Sequence, residues 1–183
     1  MSLARALRLS LLLLPLATSA CAADEDEMAQ VTKDFYAAYM STPHDGIPDD
    51  AARDKLAPYI TAELGQLLGA GDAAEARYAK ATHNESPPII EGDLFTSLFE
   101  GATAFKVGAC KADDHHGRCA VFLTYQDESG QPQHWTDTAM LKHTREGWRI
   151  DDIAYGGNWA FGNKGTLTGT LKFALKAAAE VPQ

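Results

Sequence analysis

The apolar residues of this chain change period at residue 103, and that switch does most to limit what the chain can fold into. Downstream of it, "TAFKVGACKA", "CAVFLTYQD", "QHWTDTAMLKHT" and "WRIDDIAYG" are β-rich runs separated by "DDHHGR", "ESGQP" and "REG". Short, polar, glycine-bearing connectors between such runs predict a four-stranded antiparallel meander. Val121, Leu123 and Tyr125 share one face of the second run, and Trp135, Ala139 and Leu141 share one face of the third. In the fourth run Trp148 and Ile150 are in phase while Ile153 and Tyr155 are one step out. A bulge near Asp151 and Asp152 reconciles the two halves.

Upstream the period is helical. Met28, Val31, Phe35 and Tyr39 recur on one face after an acidic start and before Pro43, which predicts a first helix. Asp49 or Asp50 can cap a second, whose face is Leu56, Ile60, Leu64, Leu67 and Leu68, ending at Gly69 to Gly71, with Pro58 shifting its start or kinking it. "DAAEARYAKATH" reads as a shorter third helix, and "LFTSLFEGA" as either strand or helical turn. After the sheet, "GGNWAFGNKG" is an aromatic, glycine-rich loop and "TLTGTLKFALKAAAE" a last helix facing inward with Leu167, Leu171 and Leu175. Helices followed by a curved antiparallel sheet predict an α+β domain with the helices packed on one face of that sheet. At 183 residues and 45% hydrophobic content, one such domain is expected.

The first twenty residues carry Arg5 and Arg8, an apolar run from Leu9 to Ala17, and then small residues, the layout of an export signal. The expected organisation is a signal peptide over 1–20, a short acidic tether over 21–27 and a single domain over 28–183. "ATSAC" resembles a bacterial lipobox, with Thr18 where such motifs carry leucine; Cys21 would then take the lipid and become the N-terminus. Ala22 after the cysteine suggests the outer membrane. Cleavage after Ala22 in "ACA" is the competing reading and gives a soluble periplasmic or secreted protein. Loss of residues 1–20 takes the formal charge from −9 to −11. So acidic a body, with no basic stripe in its sequence, argues against nucleic acid as a partner.

An exported chain keeps Cys110 and Cys119 in an oxidising compartment. With eight residues between them at the two sides of a hairpin, they are expected to form a disulfide contributing roughly 2–3 kcal/mol. The turn between them offers Asp113, Asp114, His115 and His116 as metal ligands, but adjacent histidines on a tight turn point in different directions. No metal and no cofactor are expected, and the turn reads as a solvated tip.

"VTKDFYAAY", "EGDLFTS", "CAVFLTYQD" and "GWRIDDIAYGG" together resemble the bacterial exported proteins grouped as domain of unknown function 3828. That group is similar to the nuclear transport factor 2 superfamily, and the resemblance, over roughly residues 28–160, implies a cone-like α+β fold with a pocket between sheet and helices. A fold of this kind hosts enzymes, binding modules and partner domains alike.

Three functional classes follow. An enzyme, hydrolase or isomerase, would use Asp137, Asp151 and Asp152 with His134 or His143 as acid and base, if those groups converge. No nucleophile elbow, phosphate loop or dinucleotide fingerprint accompanies them. A binding or accessory module, the preferred class, would present Asn158, Trp159, Phe161 and Asn163 to a peptide, glycan or protein; the plain alternative is that the two aromatics plug the open end of the sheet. An immunity protein would use its acidic surface against a basic toxin.

Overall fold

A computed structural model describes residues 17–43, 45–127 and 130–180. The chain runs α1 (Ala17–Tyr39), α2 (Asp50–Leu56), one 3-10 turn (Ala57–Tyr59), α3 (Ala62–Ala81), β1 (Ala104–Ala112), β2 (His116–Tyr125), β3 (Gln133–Thr144), β4 (Gly147–Ala154) and α4 (Leu167–Ala179). The four strands form one antiparallel sheet in the order β1-β2-β3-β4. The meander and the α+β class are thus present as the periods predict.

Asp49 caps α2 through Ala52 N, and the Pro58 turn separates α2 from α3, which Thr61 caps afresh through Leu64 N. α3 does not stop at Gly69–Gly71. It continues to Ala81 and absorbs the expected third helix. Gly71 is a packing residue there: a Cβ on it would lie 2.9 Å from Ile47 Cδ1 and 3.1 Å from Leu171 Cδ2, so its absence lets α3 and α4 approach. On α4 the buried positions are Leu167, Leu171 and Ala174, with Leu175 half-buried.

α1 also departs from expectation. The acidic stretch 21–27 is helical, continuous with Ala17–Ala20 upstream and with the Met28–Tyr39 face downstream. Its carboxylates account for this. Asp24 accepts a hydrogen bond from Trp148 Nε1 at 3.3 Å and Glu27 accepts one from Trp148 N at 3.2 Å, tying the helix to the start of β4. Most of the expected signal segment, residues 1–16, and the side chain of Cys21 lie outside the described residues.

Under the helices the sheet face is filled by Met28, Phe35, Tyr36, Tyr39, Leu56, Leu64, Val121, Leu123, Trp148 and Ile150, all buried. The aromatic rings meet edge to face, Phe35 on Tyr36 at 5.2 Å and on Phe95 at 5.6 Å between centroids. The register of β4 contains the expected bulge: Leu141 pairs with Ile150 and Met140 with Asp152, leaving Asp151 as the extra residue. Cys110 and Cys119 are directly paired, with Cα atoms 4.1 Å apart, and are joined by a disulfide.

Candidate functional site

The segment 92–98, neither strand nor helix, is a buried irregular loop held by side-chain acceptors. Asp93 Oδ1 accepts from Phe95 N at 2.8 Å and Thr96 N at 2.6 Å, and its Oδ2 accepts from Tyr39 OH. Burial pushes the Asp93 carboxyl up to about 7, against the lowering effect of these donors, and burial likewise raises the Tyr39 phenol well above its ordinary range. Asp137, also fully buried, accepts from Ser97 N at 2.8 Å, Ser97 Oγ, Trp135 Nε1 at 3.1 Å and Gly156 N at 2.8 Å. It fastens the 92–98 loop, β3 and the start of the glycine-rich loop together.

That arrangement decides the fate of the acid–base candidates. Asp137 faces inward on β3 while His134, an exposed residue, points to the other face and meets Thr124 Oγ1 at 2.9 Å. Asp151 accepts from Thr61 Oγ1 at 2.8 Å beside the start of α3. Asp152 accepts from Thr168 N at 2.9 Å and Thr168 Oγ1 at 2.7 Å, capping the first turn of α4. His143 is set edge-on against Trp148, 5.1 Å between centroids. Each carboxylate has a local structural partner, and none is hydrogen-bonded to a histidine.

The expected binding residues divide. Asn163 is a clamp: its Nδ2 donates to Asp93 O at 2.6 Å and Thr96 O at 2.8 Å, and its N–H to Ser97 O at 2.9 Å. Trp159, half-buried, stands perpendicular to Trp135 at 5.1 Å, and a Cβ on Gly157 would fall 2.3 Å from its ring. Trp159 therefore packs over the end of the sheet. Asn158 is exposed, and Phe161 is 90% exposed. Phe161, Trp159, Leu98 and Phe99 line a shallow groove of about 470 Å³ whose rim carries Glu91 and Glu100. Phe99, 42% exposed, is the member that periodicity missed, because it follows a loop whose conformation depends on distant partners.

At the opposite end of the sheet the Cys110–Cys119 hairpin turns through Asp113, whose Oδ1 accepts from His115 N at 3.3 Å and His116 N at 2.9 Å. These amides hold its carboxyl below the ordinary value. The two histidines are exposed, as a solvated tip requires. Among the described residues no three His, Cys, Asp or Glu side chains gather as a metal site, and no helix is long and apolar enough to cross a membrane.

No family model matches the chain, and no curated protein or solved structure matches it significantly.

Proposed function

We propose that this is an exported binding or accessory protein of the bacterial envelope, non-enzymatic, attached through a lipid on Cys21, and of nuclear transport factor 2-like architecture. The disulfide between Cys110 and Cys119 is compatible with export. One observation carries the choice of class: Phe161 stands 90% exposed on a loop otherwise pinned by Asn163, Trp159 and Gly156. A fixed loop that holds a bare aromatic out to solvent, beside Phe99, suits contact with another molecule. The dispersal of Asp137, Asp151, Asp152 and His134 supports the same class over an acid–base enzyme.

Glu91 and Glu100 on the groove rim favour a cationic partner, which keeps the immunity reading as the second one. The test is a pull-down from envelope extract with three proteins. Phe161→Ala is expected to change stability by no more than about 0.5 kcal/mol and to lose the partner that wild type retains. Trp159→Ala is expected to lose about 2–4 kcal/mol through lost packing. Undiminished capture by Phe161→Ala rejects this surface.

A further inference from the structure

The sheet sets cations directly opposite one another in an acidic chain, and their placement is unfavourable for stability alone. Lys111 on β1 pairs directly with Arg118 on β2, and Lys142 on β3 pairs directly with Arg149 on β4 and, on its other side, with His116 of β2. Like charges directly opposite on a sheet repel. Lys142 has one carboxylate, Glu63, at 3.8 Å, and Arg149 donates to the Trp148 carbonyl, whereas Lys111 and Arg118 have no carboxylate within 4 Å among the described residues. Between Lys111, Arg118, His116 and Met140 lies a shallow groove of about 250 Å³, with Asp113 of the turn at its end. Met140 itself is 42% exposed.

The second observation is where the chain enters the fold. Glu27 is level with the β3–β4 turn, where a Cβ on Gly147 would touch its carboxylate, and Met28 lies against Gly117 at the start of β2. From there α1 runs toward Tyr39 and Asp93 at the other end of the sheet. Extended backward, six helical residues carry it about 9 Å beyond Glu27 to Cys21, past the turns and not over the sheet. An anchor at that cysteine brings the hairpin turns, and the cation rows just behind them, close to the bilayer. Of the acidic residues of the same helix, Asp24 and Glu27 are bonded to Trp148, and Glu27 also approaches Arg149 beside Gly147; Asp113 is held by its own turn.

We infer that Lys111, Arg118, Lys142 and Arg149, with Met140 among them, form a membrane-facing surface that takes the phosphate groups of anionic phospholipids. The inference rests on the envelope-anchored reading and adds to it an orientation: the hairpin turns face the bilayer and the Phe161 groove faces away. One hydrophobic anchor and a polybasic patch make the pair of signals that stable membrane attachment needs.

Lysine footprinting of the full chain in nanodiscs tests it, comparing discs of phosphatidylcholine alone with discs that include phosphatidylglycerol. Lys111 and Lys142 should react at least about threefold more slowly in the anionic discs, with Lys172 and Lys176 on α4 unchanged, and the protection should vanish in high salt. A Lys111→Gln/Arg118→Gln variant, which relieves a repulsive pair, should fold and lose the protection at Lys142. Equal reactivity in both discs overturns the inference while leaving the anchor standing. A chain missing from neutral discs yet recruited and protected by anionic ones sustains the inference and removes the anchor. A chain absent from both overturns the two together, and protection given by an acidic envelope protein but not by lipid overturns the lipid assignment.

Discussion

Asp93 and Asp137 are both buried carboxylates, and their burial shows how one residue type is put to structural use. Asp137 is surrounded by donors from three segments. Asp93 sits against Tyr39, and its carboxyl is raised to about 7. A raised carboxyl means that the folded state holds its proton where the unfolded state, near 3.8, has lost it. The stability this group contributes is fully present below that lower value and is lost as pH rises through about 7. Thermal unfolding between pH 4 and 7 should therefore show a falling component, on the order of a few kcal/mol, that Asp93→Asn removes. A variant with the same slope as wild type would refute this origin. Neither role was legible beforehand. "EGDLFTS" shows an aspartate before turn-forming residues, but its partners Tyr39 and Asn163 lie 54 and 70 positions away. The bulge at Asp151 was legible, because a phase change in alternation is a local signal.

The strands followed from alternation, and the helices proved harder. Gly69 and Gly71 looked like a terminus because glycine is a frequent helix stop, yet at Gly71 the missing side chain admits Ile47 and Leu171. Contact between elements overrode the local preference. The β1–β2 hairpin is the element with the clearest covalent reinforcement, its paired cysteines closing a ten-residue loop whose far side is also tied to β3 through His143 N and the His115 carbonyl at 2.9 Å. Replacing both Cys110 and Cys119 with alanine should lower stability by about 2–3 kcal/mol, read from the shift in denaturant midpoint. A shift below about 0.5 kcal/mol would show that the ladder alone holds the hairpin.

Across the whole molecule, two surfaces are separated by length: the aromatic groove lies at one end of the sheet, and the hairpin turns and the start of α1 occupy the other. The two ends should be separable by mutation. Asp24→Ala/Glu27→Ala should cost roughly 1–3 kcal/mol by releasing α1 from Trp148, without altering capture at Phe161. Loss of capture by that variant, while still folded, would mean the ends are coupled. The tie itself has a further consequence. Asp24 and Glu27 stand 124 and 121 positions before the tryptophan they hold. In a chain exported from its N-terminus, β4 would be the last strand to arrive, with only α4 behind it, so the ties of Asp24 and Glu27 would form only after Trp148 has crossed. A peptidase acting around Cys21 would then meet an unlatched segment, its cut timed ahead of final closure by nothing more than the order in which the partners emerge.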